Sequence, residues 1–260
     1  MKCHKMSDTD NKKKRQSDMR LDKFISECGI ASRKECSLAA RRGRITVNGE
    51  TVKRADLHID EEKDKITFDG EEILYRKFTY VLLNKPSGYI SATEDGKLPV
   101  VTELLSENLQ KIGLFPCGRL DRDTLGLMLL TNDGELSHFL LSPKHHVKKK
   151  YAFECESVLK KDAESIFFSG MEIDGGVVCR EALLECDETR MRGFVTLSEG
   201  KYHQIKRMFE ALGNKITYLE RVEFAGISLD PSLGRGEWRL CTEEEISLLR
   251  SHYENRNKLQ

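Results

Sequence analysis

The run Leu125-Gly126-Leu127-Met128-Leu129-Leu130 is too apolar to lie on a surface. Turn signals bracket it, with Gly118-Arg119-Leu120-Asp121-Arg122-Asp123-Thr124 before and Thr131-Asn132-Asp133-Gly134 after. A short apolar run bounded in this way is a buried strand, so the fold is built around a sheet. The same stretch puts Asp121 on the turn that feeds the strand, next to basic residues. That arrangement predicts an ionised carboxylate held rigidly in a cleft that expects an anionic partner.

At 260 residues the chain is long enough for two domains. Its 43 basic and 43 acidic side chains balance, so net charge is silent about partners. With 33% charged and 38% hydrophobic residues it reads as a soluble globular protein. No apolar run approaches the roughly 20 residues that span a bilayer, and the N-terminus lacks the apolar core of a signal peptide. The eight cysteines are scattered without a C-x-x-C pair, which predicts reduced thiols and a cytoplasmic location, away from membranes. His145 and His146 are adjacent and point in different directions, so no metal site is expected. Residues 1–18 are polar, lysine-rich and aperiodic. They read as a disordered basic tail or as a segment ahead of a true start near Met19; as an arm they would add nonspecific phosphate affinity.

Order begins at Met19, and a first module is expected over residues 19–75. Leu21, Phe24, Ile25 and Cys28 share one helical face, with Gly29 as the stop. Ser32-Arg33-Lys34-Glu35 has capping-box spacing and starts a second helix running to about Arg42. Ile45 to Val52 alternates around Asn48-Gly49, a hairpin signal. Basic residues Arg33, Lys34, Arg41, Arg42 and Arg44, followed by Lys53 and Arg54, cluster on the second helix and the hairpin, whereas residues 56–72 are mostly acidic. An isolated charge run would read as a solvated helix face; clustered on a helix and the hairpin after it, these residues read as a footprint for phosphates. With no stacking aromatics among its residues, it positions RNA by shape and backbone more than it reads sequence.

A second domain is expected over residues 78–250, after a connector from Glu72 to Phe78. Strands are predicted at Tyr80–Lys85, Lys148–Glu154 and Phe194–Leu197. Helices are predicted within 100–110, over Ser137–Leu141, and on the face Ile205, Met208, Phe209 and Leu212. The mixed order favours an α+β fold with a largely antiparallel sheet.

Residue chemistry leaves three roles open for Asp121. Asp121-Arg122-Asp123 has the D-x-D form of a metal-dependent phosphotransferase, but such sites follow a buried parallel strand, and here the apolar strand comes afterwards. Asp121 could be structural, paired to Arg119 or capping its turn. It could also be a nucleophile. A free aspartate, with pKa about 3.9, is ionised at neutral pH and needs no general base, a buried cation beside it would keep it charged, and carboxylates attack sugar carbons in retaining glycosidases.

The front segment MRLDKFISECGIASRKE with RRGRITVNGETV resembles the RNA-binding module of the ribosomal protein S-four type, the αL motif. G-R-L-D-R-D-T-L-G-L-M-L-L-T-N-D-G is similar to the signature of the pseudouridine synthases. Lys85-Pro86-x-Gly88, Lys149-Lys150-Tyr151 and Glu199-Gly200-Lys201-Tyr202-His203-Gln204-Ile205-Lys206-Arg207-Met208 bring the resemblance to the RsuA branch, from Met19 to about Arg250. Leu136-Ser137-His138 and Ser142-Pro143-Lys144-His145-His146 fit its small-subunit, 16S rRNA type better than the large-subunit relatives.

The resemblance implies a small αL module followed by a pseudouridine synthase domain. It also implies isomerisation of a uridine in ribosomal RNA, at a uridine-516-type site of 16S rRNA or of a small-subunit assembly intermediate. It makes Asp121 the catalytic nucleophile, Tyr151 the pocket residue that stacks on the flipped base and can move a proton, and Lys206, with Arg207 as rival, the cation paired with the Asp. Arg119 would contact the target's phosphates or hold the flipped nucleotide out. Lys148, Lys149 and Lys150, a basic run leading to Tyr151, join the RNA-binding set. His145 and His146 become loop or RNA contacts, and Asp123 a turn residue. No cofactor or metal is implied, because isomerisation consumes none, and a monomer is expected. The alternatives are a large-subunit (23S) rRNA enzyme of the same branch and a noncatalytic RNA-binding ribosome-assembly factor.

Overall fold

Local sequence chemistry sets the first unit of the computed structural model, which describes residues 19–73 and 77–257. The basic tail expected at 1–18 and residues 74–76 of the expected connector lie outside the described residues. The chain divides into two units between Lys77 and Phe78. Helix α1 (Leu21–Glu27) ends as Cys28 and Gly29 turn the chain. Helix α2 (Arg33–Arg41) starts with the full capping box. Ser32 Oγ accepts from the Glu35 amide, and the Glu35 carboxylate accepts from the Ser32 amide at 2.7 Å, an arrangement worth about 1 kcal/mol. Strands β1 (Ile45–Val47) and β2 (Glu50–Thr51) form the hairpin around Asn48-Gly49, and β3 (Ile66–Phe68) and β4 (Glu71–Glu72) extend it in the order β2-β1-β3-β4. Leu21, Phe24, Ile25, Cys36, Ala39, Ala40, Ile45 and Ile66 fill one core between helices and sheet.

The second unit is built on β5 (Tyr80–Lys85), β6 (Leu125–Thr131), β7 (Lys149–Cys155), a hairpin of β8 (Glu172–Ile173) and β9 (Val177–Val178), β10 (Leu183–Cys186), β11 (Arg192–Leu197), β12 (Ile216–Phe224) and β13 (Trp238–Leu240). The main sheet runs β10-β11-β7-β12-β6-β5-β13, with two short strands, Ile227–Ser228 and Phe115–Pro116, paired to β12 and β6. Neighbours are antiparallel except β6 and β12, which are parallel. The fold is therefore α+β with a mixed, mostly antiparallel sheet, as the element order predicts.

The central strands are apolar on both faces because both faces are covered. Along β6, Met128 and Leu130 enter one core and Leu127 and Leu129 the other; Val81 and Leu83 of β5 alternate with Tyr80 and Leu82 in the same way. The first core also takes Phe167 from α5 (Ala163–Ser169) and Ile205, Met208 and Phe209 from α6 (Gln204–Ala211). The second takes Leu136, Phe139 and Leu140 from α4 (Gly134–Leu141) and Leu249 from α7 (Glu243–Asn257). Burial of these side chains stabilises the sheet at about 25 cal/mol per Å² of apolar surface.

Two helix predictions need correction. The segment 100–110 is not one helix. A 3-10 turn (Val101–Leu104) and α3 (Glu107–Lys111) are separated by Leu105, whose extended backbone turns its side chain into the core. Helix α4 begins at Gly134 rather than Ser137, because the Asp133 carboxylate accepts from the Leu136 amide at 3.0 Å and caps it. Asp133 also accepts from the buried Tyr80 hydroxyl at 2.7 Å. No helix among the described residues is long and apolar enough to cross a membrane.

Candidate active site

One row of residues crosses the sheet. Lys85 stands opposite Gly126, Gly126 opposite Arg221, and Arg221 opposite Tyr151. Gly126 makes the row possible. Its φ is +95°, and a Cβ there would strike the Arg221 carbonyl oxygen and lie 2.7 Å from Glu220 Cγ. Only glycine allows the parallel strands this approach.

The row anchors the loop that carries Asp121. Lys85 is fully buried, and its Nζ donates to the carbonyl oxygens of Thr124 at 2.8 Å, Pro86 at 3.1 Å and Arg122 at 3.2 Å. Burial pushes this ammonium down to about 8, against the opposing pull of Asp123 and Asp121. Gly88 donates its amide to Arg122 O at 2.9 Å, and Ser91 Oγ both donates to Leu120 O and accepts from Leu120 N, at 2.8 and 2.9 Å. The Thr124 amide closes the turn on Asp121 O at 3.1 Å. Arg221, buried on the neighbouring strand, donates from Nε to Leu127 O at 2.7 Å and lies over the Phe224 ring. A loop tied at so many backbone points presents its carboxylate with little freedom.

Helix α6 supplies the cation. Its apolar face packs on the sheet, and Lys206 leaves that face to place Nζ 3.2 Å from Asp121 Oδ2 and 2.6 Å from Asp123 Oδ1. Burial disfavours charge on Lys206, but the Asp123 hydrogen bond and the Asp121 charge outweigh it and raise its pKa. Asp123 is likewise opposed by burial, yet Lys206 holds it below the usual carboxylate range. His203, the residue before α6, brings Nε2 to 3.5 Å from Asp121 Oδ1. Its backbone is left-handed, with φ +48°. The buried Glu199 fixes this turn, accepting from Lys201 Nζ at 2.5 Å, Gln204 Nε2 at 2.7 Å and the Arg180 amide at 2.9 Å.

The residues singled out in the sequence fall into distinct places. Lys206 reaches Asp121, whereas Arg207 turns to Asp174, with Nε at 2.5 Å from its carboxylate, and to the Tyr202 carbonyl at 3.2 Å. Asp123 is more than a turn residue, because it makes the shorter bond to Lys206. An ammonium bound to both carboxylates also supplies from within the protein the countercharge that a D-x-D metal site needs. Tyr151 lies on the sheet face that carries Leu120 and the α6 residues; its ring is buried, and its hydroxyl keeps solvent access without a hydrogen-bond partner among the described residues. Arg119 is exposed two residues before Asp121.

Of the basic run, Lys148 is exposed and Lys150 pairs with Glu185 at 2.9 Å. Lys149 departs from the expectation of an RNA contact: it is buried, donates to Val147 O at 3.2 Å, and is pushed down to about 8 by burial and by Arg221. In the first unit Arg33, Lys34, Arg41 and Arg42 are exposed, while Arg44 is paired with Asp69 and lies over Phe68. His145 stacks on Phe139 at 3.8 Å, and Arg180 contacts His146 at 3.0 Å.

Sequence reasoning did not assign Lys85, Asp123, His203, Glu199 or Arg221 to the site. For Lys85 a signal was present, a lysine closing an otherwise apolar strand just before a proline. Arg221 carried none that local pattern reveals.

Residues 79–211 match the RNA pseudouridylate synthase family and residues 19–66 match the S4 domain. The chain is 42% identical over 234 residues to an uncharacterized RNA pseudouridine synthase of Bacillus subtilis, covering 89% of this chain and 98% of that one. It is 40% identical over 232 residues to the ribosomal small subunit pseudouridine synthase A of Escherichia coli, covering 88% and 99%. A crystal structure of a pseudouridylate synthase superposes with a TM-score of 0.63 at 37% identity, covering 89% of this chain and 99% of the other. The chain belongs to the RNA pseudouridine synthase family, in its RsuA-type form with an N-terminal S4 domain.

Proposed function

We propose that this enzyme converts one uridine of 16S ribosomal RNA, at a uridine-516-type position, to pseudouridine with Asp121 as nucleophile. The observation that carries the reading is the Asp121 carboxylate, on a loop whose backbone Lys85 anchors, flanked by Lys206 at 3.2 Å and His203 at 3.5 Å. Asp121 promotes cleavage of the bond between N1 and the ribose C1′. The freed uracil turns, C5 bonds to C1′, the C5 proton is lost and N1 gains one. Lys206 opposes loss of the carboxylate's charge as substrate displaces water.

The target base leaves its stack to reach Asp121, at a few kcal/mol. Stacking on Tyr151 returns about 1–3 kcal/mol, and the Tyr151 hydroxyl moves the C5 proton. Arg119 holds the displaced nucleotide by its phosphate. Arg33, Lys34, Arg41 and Arg42 of the S4 domain, with Arg44 and Lys148, bind the RNA backbone, and their contribution falls with salt. The enzyme is a cytoplasmic monomer with one active site that needs no cofactor and acts on 16S rRNA or a small-subunit assembly intermediate.

Mapping pseudouridines in ribosomal RNA from a strain lacking the gene tests the substrate. Loss of a single 16S site is expected. Loss confined to 23S rRNA, or no loss, would contradict it.

A further inference from the structure

Tyr202 is 72% exposed, the highest value among the large apolar and aromatic side chains left on the surface of the described residues. It is not a loose side chain. Its ring lies parallel to the His203 imidazole, with centroids 3.8 Å apart and an interplanar angle of 17°. One ring face is therefore covered and the other is open. The covering imidazole is the one whose Nε2 stands 3.5 Å from Asp121 Oδ1. The Tyr202 hydroxyl has no hydrogen-bond partner among the described residues, so the ring is placed by stacking and by its backbone.

That backbone is held at some cost. His203 has φ +48°, a conformation worth about 1–3 kcal/mol of strain in a residue other than glycine. Glu199 binds Lys201 and Gln204 on either side of the pair, Gln204 Oε1 accepts from the Lys201 amide at 2.9 Å, and Arg207 Nη1 donates to the Tyr202 carbonyl at 3.2 Å while its Nε is fixed on Asp174. Five polar side chains thus maintain a strained turn whose product is an aromatic ring open to solvent, stacked on the imidazole that reaches Asp121.

A ring ordered in advance, open on one face and one stacking distance from the group that touches Asp121, suits a nucleobase. Every base has a π-face, and stacking is tolerant of its identity. Tyr151 serves the target base from the sheet side, so the Tyr202 face is left for a neighbour in the strand. We propose that Tyr202, backed by His203, is a stacking platform for the unpaired nucleobase adjacent to the target uridine. The proposal rests on the reading of Asp121 as the nucleophile.

The test uses the full-length protein and two short single-stranded RNAs, each carrying 2-aminopurine on one side of a uridine. Wild type and Tyr202→Phe are expected to quench the fluorescence of one probe on binding. Tyr202→Ala is expected to abolish that quenching and to bind the probe about 5- to 150-fold more weakly, the factor that corresponds to ~1–3 kcal/mol of stacking. An unchanged urea midpoint for Tyr202→Ala confirms that the fold survives. Quenching and affinity unchanged in Tyr202→Ala, or no quenching of either probe by wild type, would overturn the platform. Asp121→Asn separates the two readings: it should quench like wild type while isomerisation is lost. If Asp121→Asn still isomerises, the nucleophile assignment fails and the Tyr202 comparison stands by itself.

Discussion

Lys206 makes its shorter bond to Asp123, at 2.6 Å, and stands 3.2 Å from Asp121. One ammonium therefore serves two carboxylates that differ in exposure, Asp123 being the more exposed. Removing the cation leaves Asp121 without its nearest countercharge, whereas removing the Asp123 charge frees Lys206 for Asp121. Lys206→Met should lower kcat by about 10- to 150-fold with little change in KM, as expected for a charge-assisted hydrogen bond. Asp123→Asn should stay within a few-fold of wild type. Single-turnover kinetics check both, and equal losses in the two variants would contradict the shared pairing.

Gly126 sets the approach of β6 to β12. Gly126→Ala places a Cβ against the Arg221 carbonyl oxygen and 2.9 Å from its amide nitrogen, at φ +95°. The contact is backbone on backbone and cannot be relieved by a rotamer. A loss of more than about 3 kcal/mol is expected, at the severe end for single substitutions. Gly49 is the control. Its φ is +84° with nothing within 4 Å, so Gly49→Ala should lose only about 1–2 kcal/mol. Urea unfolding of the two variants decides, and similar losses would sink the steric account.

Lys149 gives a pH signature. Burial, then Arg221, pushes it down to about 8, below the unfolded value of about 10.4. Below pH 8 the lysine is charged in both states, and the folded state carries the burial penalty. Between about 8 and 10.4 the unfolded chain binds a proton that the folded chain has released, so stability rises with pH. Wild type should gain about 1–2 kcal/mol more than Lys149→Met between pH 7 and 9.5. At pH 7 Lys149→Met should be neutral or stabilising, because it removes a buried charge with one carbonyl partner. Identical pH dependence in the two proteins would contradict the assignment.

The adjacent lysine separates RNA contact from burial. Lys148→Ala should reduce the salt slope of RNA binding by about one, and Lys149→Met should leave it unchanged. Titrations over a range of salt concentration measure both slopes. A reduced slope for Lys149→Met would restore that residue to the RNA surface.

Features encoded locally were legible in the sequence. Ser32 and Glu35 lie three residues apart and cap their own helix, and the apolar run 125–130 reports a strand covered on both faces wherever it sits. The failures came from longer-range or competing signals. Leu105 interrupts a helical pattern because the core takes its side chain, and Asp133 serves as a cap although Gly134 beside it reads as a turn. In the site, the family resemblance implied a cation on the α6 segment as the partner of Asp121. The choice of Lys206 over Arg207 depends on Asp174 drawing Arg207 away, which no local pattern records. Lys85, Arg221 and His203 join Asp121 only through strand register and the approach of α6. The burial of Lys149 follows from the alternation of β7, which turns Lys149, Tyr151 and Phe153 inward.

The central claim is that Asp121 carries the chemistry. The measurement is tritium release from 16S rRNA whose uridines are labelled at the base carbon that is re-bonded, with wild type and Asp121→Asn compared at equal RNA occupancy. Wild type should release tritium, and Asp121→Asn should bind the RNA with unchanged affinity and release none. Release by Asp121→Asn at the wild-type rate would contradict the account.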